Sequence, residues 1–129
     1  GLLDLVRTAW DRYRRPLIIT ENGIADARDR LRPSYLRSHA YALDRALAEG
    51  IPVQGYLHWS LMDNFEWAEG YSQRFGLVRV DFATQARIAG AGAAEFRRLS
   101  GFIPSRDVEP PRPDPGTEAP MDHSKHTMH

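Results

Sequence analysis

Twice before Trp59 the chain runs from an amphipathic helical stretch, past a proline, into a short apolar run. That repeat limits its fold more than any other feature. In the first pass Leu2, Leu3, Leu5, Val6, Ala9, Trp10 and Tyr13 recur at i, i+3, i+4 and i+7, which makes one face of a helix over residues 2–15 apolar. Asp4, Arg7, Asp11, Arg12 and Arg14 fall on the other face, and Trp10 reads as core packing. Pro16 stops the helix. Leu17, Ile18, Ile19 and Thr20 follow without alternation, as in a strand covered on both faces of a parallel sheet. In the second pass Pro33 suits a first helical turn. Tyr35, Leu36, His39, Ala40, Leu43, Ala46 and Leu47 make the stripe, with His39 as a hydrogen-bonded core histidine, and Gly50 ends it. Pro52 then leads into a strand over Val53–Ser60. A right-handed crossover sets the two strands parallel and adjacent, an α/β arrangement.

Alternation along the second strand puts Val53, Gly55, Leu57 and Trp59 on one face. Gln54, Tyr56 and His58 take the other, toward the helices, so His58 reads as a packing residue and not as a base. Charge narrows the partners: 17 basic and 17 acidic residues balance, against nucleic acid or an anionic membrane as the main partner. Cysteine is absent, so there is neither a disulfide framework nor a Cys-based metal site. Residues 1–129 contain no signal-peptide pattern and no long apolar run, and the expected location is cytoplasmic.

Residues 56–81, YLHWSLMDNFEWAEGYSQRFGLVRVD, crowd Trp, Phe, Tyr, amides and acids into one strand-then-loop segment. A sugar offers apolar C–H faces that lie on flat rings and a rim of hydroxyls that needs donors and acceptors, and this segment supplies both. It resembles the last barrel strand and following loop of glycoside hydrolase family 1, the retaining β-glucosidases and β-galactosidases. Upstream, Ile19–Gly23 (ITENG) resembles that family's nucleophile motif. The resemblance implies the C-terminal portion of a (β/α)8 TIM barrel, its last two strands and their helices. A closed barrel takes ~250 residues, so 129 make a piece of one.

The resemblance also implies the chemistry: hydrolysis of a β-glycoside with retention, no cofactor, no metal, and a small β-glycoside or oligosaccharide as partner. Glu21 is then the nucleophile. Trp59 stacks under the glycone, Glu66 binds the hydroxyls on C4 and C6, Trp67 donates its indole N–H to another hydroxyl, and Phe75 closes the wall near C6. Asp63 and Asn64 shape the loop. A cis peptide joins Trp59 and Ser60. The acid/base glutamate of the family sits in an N-E-P motif that this sequence lacks. The missing N-terminal barrel part is therefore needed for activity, and the chain alone is expected to be inactive. A non-catalytic carbohydrate-binding remnant is the alternative.

The remaining segments carry less. Residues 24–32 form a charged loop, short as in the archaeal-type branch of the family, and 61–75 form a long one. Residues 76–82 alternate as a short strand or hairpin arm with its turn at Thr84 and Gln85, and a last helix begins at Ala93. Gly90 and Gly92 weaken its start. Six of the nine prolines fall between Pro104 and Pro120. The chain thus divides into residues 1–103, the barrel part, and 104–129, a disordered Pro-rich tail. That tail ends in Met121, His123, His126, Met128 and His129, a donor set suited to copper that reads more simply as a polar terminus.

Overall fold

The computed structural model describes residues 1–101. They fold in the order α1 (Leu2–Tyr13), β1 (Leu17–Asn22), α2 (Arg32–Ala48), β2 (Val53–His58), a 3-10 turn at Trp67–Glu69, β3 (Val78–Val80), β4 (Arg87–Ala89) and α3 (Ala91–Leu99). β1 and β2 pair in parallel, and β3 and β4 form an antiparallel hairpin. β3 is shorter than the expected 76–82, and its partner β4 was not expected as a strand.

The two amphipathic helices pack part of their stripes on one face of β1–β2, while Leu5, Tyr13 and Leu47, expected on those stripes, are exposed. Val6, Ala46 and Ile51 are buried at the centre, with Leu2, Leu3, Trp10, Leu17, Ile19, Leu43 and Val53 packed around them. α1 ends earlier than residue 15, because Arg14 turns into the left-handed region (φ 48°) and caps Trp10 O before Pro16 is reached. α2 begins one residue before Pro33. Its first N–H groups are met by the Asp26 carboxylate, which accepts from Leu31 N at 2.6 Å and Arg32 N at 3.0 Å. His39 is half-buried and bonded through Nδ1 to Tyr35 O at 2.8 Å.

α3 begins at Ala91, not Ala93. Gly92 is buried against Arg32 and Asp29, and its N–H donates to Asp29 Oδ2 at 2.8 Å. The glycine that weakens the helix in isolation is thus the residue that lets it dock. Phe96 of α3 lies under β2, 6.5 Å from the Tyr56 ring and 6.0 Å from the His58 ring. His58 therefore faces the helices, as alternation requires.

Two expectations about the strands fail. β1 is not covered on both faces: Ile18 is 56% exposed, and Leu57 of β2 is 58% exposed. Val53 does not share the face of Gly55. Leu17 pairs with Val53 and Ile18 with Gly55, a register shift that turns Val53 toward the core beside Leu17.

Candidate active site

β1 carries a second irregularity. Ile19 pairs with Tyr56 and Asn22 with His58, so β1 spends three steps where β2 spends two. The extra residue bulges the strand. Ile19 and Asn22 stay half-buried, while Thr20 and Glu21 are both exposed. Glu21 lies inside β1, one residue from its end.

The end of β1 is tied to the start of the next loop. Trp59 N–H donates to Asn22 O at 3.0 Å. Gly23 lies flat against Trp59: a Cβ there would stand 2.8 Å from the Trp59 carbonyl carbon and closer still to its oxygen. The ITENG glycine is thus needed for the approach of two backbones. The Trp59–Ser60 peptide is cis.

From Trp59 the loop turns back on itself. Trp59 is half-buried, and its indole N–H donates to Glu66 Oε1 at 3.1 Å, which joins two of the five candidate residues directly. Phe75 is half-buried, and its carbonyl accepts from Ser60 N at 3.3 Å. Trp67, the next residue after Glu66, sits at φ 48° and is 85% exposed. Among the described residues nothing packs over its indole.

Asp63 holds this loop in shape. Its side chain is 2% exposed and accepts from Gly76 N at 3.0 Å, Val80 N at 3.2 Å and an Arg74 guanidinium nitrogen at 3.1 Å. Asn64 Nδ2 donates to Ser60 Oγ at 3.2 Å and to Met62 O at 3.1 Å. Both residues bond within the loop, the shaping role the sequence suggested.

Arg32 was not foreseen. It is buried, donates to Arg74 O at 2.7 Å and Asp26 O at 3.0 Å, and pairs with Asp29, pinning the 24–32 loop to the site loop. In a run as charged as ARDRLR no local signal separates the buried arginine from its solvated neighbours. Tyr56 was placed on the right face, but not its bond to Asn22 Oδ1 at 2.8 Å. Burial raises the Tyr56 phenol pKa well above the ordinary value, with the Tyr35 phenol adding to the effect, so it stays a donor at any working pH. Burial pushes the His58 ring the other way, below 6.5. Both its nitrogens are shut off from solvent without a hydrogen-bond partner, although the Phe75 and Asn22 carbonyls lie near enough to favour the proton. Among the described residues no group of three or more His, Asp or Glu side chains is placed to hold a metal.

Residues 1–99 match the family model described as Glycosyl hydrolase family 1, and the chain belongs to that family. It is 50% identical over 100 residues to a β-galactosidase of Sulfolobus acidocaldarius, covering 78% of this chain and 20% of the relative. A β-galactosidase of Saccharolobus solfataricus is 48% identical over the same coverage. The crystal structure of the β-glycosidase from Thermosphaera aggregans superposes with a TM-score of 0.76 at 53% identity, covering 78% of this chain and 21% of that one. A β-glucosidase from Thermotoga maritima in complex with deoxynojirimycin gives the same TM-score at 38% identity. The chain spans about a fifth of the length of the β-galactosidases it matches. The boundary at 103/104 and the Met/His run at 121–129 lie outside the described residues.

Proposed function

We propose that this chain supplies the attacking carboxylate and half of the sugar pocket of a retaining β-glycosidase, as the last two strands and helices of a TIM barrel. One observation carries the reading: exposed Glu21 sits at the C-terminal end of a parallel strand whose next residue is bonded to Trp59, and Trp59 in turn holds Glu66. In such barrels the chemistry gathers at the C-terminal strand ends.

Glu21 attacks the anomeric carbon as the bond to the leaving oxygen breaks, forming a glycosyl-enzyme ester. A second carboxyl protonates the leaving oxygen, then takes a proton from the water that cleaves the ester. That second group lies on a part of the barrel this chain does not contain. Trp59 offers a flat face to the glycone. Its N–H occupies one lone pair of Glu66 and leaves the remaining acceptor positions for paired sugar hydroxyls. Trp67 contributes its N–H once neighbouring barrel segments enclose it, and Phe75 forms the wall.

The test uses a hybrid in which this chain replaces the matching 100 residues of the Sulfolobus acidocaldarius β-galactosidase. A 2-deoxy-2-fluoroglycoside should label Glu21, read by peptide mass spectrometry, and label on another residue refutes the assignment. Glu21→Gly should abolish hydrolysis, and azide should restore part of it by filling the vacated space. The chain alone should turn over no cellobiose, whose alkoxide leaving group needs the general acid, typically worth ~10²–10⁴-fold, that is missing with its partner. The alternative is a non-catalytic carbohydrate-binding remnant that keeps Trp59, Glu66 and Trp67. It predicts sugar binding by the chain and no labelling in the hybrid.

A further inference from the structure

A bulged strand end holds its residues loosely. The extra residue leaves the ladder, so Thr20 and Glu21 lack the regular pairing that fixes Leu17 to Ile19. Something else must fix the backbone from which Glu21 projects. Asn22 is the first residue back in register, and three contacts converge on it. Tyr56 Oη donates to Asn22 Oδ1 at 2.8 Å and reaches Asn22 O at 3.3 Å, while Trp59 N–H donates to that same oxygen at 3.0 Å. The Tyr35 phenol of α2 lies near the same amide.

Tyr56 is well placed to act as an anchor. It lies in the middle of β2, and its ring is held between the sheet and Phe96 of α3. The bond runs on the helical side of the sheet, whereas Glu21 is exposed beside the bulge. The anchor therefore does not compete with a sugar for space.

We infer that Tyr56 and Asn22 are positioning residues for Glu21: the phenol–amide bond fixes the strand end beyond the bulge and so sets the direction from which the carboxylate meets the anomeric carbon. The inference rests on Glu21 being the nucleophile. Neither residue touches substrate. Loss of the bond should thus weaken the attack and leave sugar binding nearly intact, since Trp59 and Glu66 remain in place.

The experiment follows inactivation of the hybrid enzyme by a 2-deoxy-2-fluoroglucoside, which separates the binding constant from the rate of attack. Tyr56→Phe and Asn22→Ala should each lower the rate of attack about tenfold with the binding constant changed less than about twofold, as expected for a misaligned reacting group. Phe96→Leu is the comparison. It loosens the same packing without touching the phenol–amide bond, and should lower the melting temperature while leaving the rate of attack unchanged. If Tyr56→Phe attacks as fast as the parent, the inference is wrong. It is equally wrong if Phe96→Leu slows attack as much, because general loosening would then suffice. Failure of the parent hybrid to label Glu21 would instead overturn the nucleophile assignment, and with it the basis of this one.

Discussion

Gly23→Ala is the substitution whose cost can be read most directly from the geometry. The added methyl would stand 2.8 Å from the carbonyl carbon of Trp59. Carbon atoms rest at about 3.5–4.0 Å, so the two backbones must part by about 0.7 Å at the least, and further to clear the oxygen. The parting strains the Trp59 N–H bond to Asn22 O, now 3.0 Å long, the link between the strand that carries Glu21 and the loop that carries Glu66. Forced overpacking of this kind costs about 1–3 kcal/mol of stability. The catalytic loss should be larger, because a displacement of ~1 Å between reacting groups is worth about 10²-fold, or about 2.7 kcal/mol in the barrier. In the hybrid, kcat/KM for p-nitrophenyl β-glucoside should fall about a hundredfold, mostly through kcat. Melting curves would show the protein still folded at the assay temperature. A Gly23→Ala enzyme within about threefold of the parent would mean that the two segments move freely apart, and the rigid link between Glu21 and Trp59 would have to be abandoned.

Three further outcomes follow. Asp63→Ala leaves the Arg74 guanidinium and the Gly76 and Val80 N–H groups without their acceptor, and should cost the hybrid about 3 kcal/mol in denaturant unfolding; a loss under 1 kcal/mol would remove Asp63 as the organiser of the loop. Burial holds the His58 pKa below 6.5, so its contribution to stability is complete above pH 6.5 and declines as the pH falls toward the folded value. His58→Phe keeps a ring against Phe96 and should flatten stability against pH below about 6.5, and an unchanged acid slope would show that the ring does not titrate there. The proposal that Glu66 binds at the C6 end of the pocket predicts that it repels a phosphate there, so a 6-phosphoglucoside should be cleaved far more slowly than the glucoside; equal rates in the hybrid would displace Glu66 from that subsite.

Helix and strand identities were legible because periodicity reports which atoms leave water. The stripes of α1 and α2 gave the buried Val6, Leu36 and Ala46 but also counted Leu5, Tyr13 and Leu47, which are exposed, and alternation in β2 put His58 and Tyr56 toward the helices. What alternation cannot report is a change of register. The shift beside Val53 and the bulge at Thr20–Glu21 arise from how two strands align, and neither strand's own residues specify it. The same limit hid Arg32, whose burial depends on carbonyls contributed by Arg74, 42 residues away. Trp59, Glu66, Trp67 and Phe75 came from motif resemblance. Chemical type alone marks them as suited to a sugar without saying that Trp59 would bind Glu66.

One strand thus serves two sides with different duties. On the helical side Tyr56 and His58 pack on Phe96, and Tyr56 reaches across to Asn22. On the other side Gly55 lies beside Ile18, and both Ile18 and Leu57 are exposed. The bulge in β1 joins the two sides, since it exposes Glu21 while leaving Asn22 where Tyr56 can hold it. A regular strand would have alternated, sending Glu21 and Asn22 to opposite faces but Thr20 to the same face as Asn22, out of step with Ile19. Inserting one residue therefore keeps the packing of Ile19 and Asn22 and also frees two consecutive side chains toward the open face. Ile18 and Leu57 are the apolar groups exposed there, and Glu21 is exposed at the end of the same strand pair.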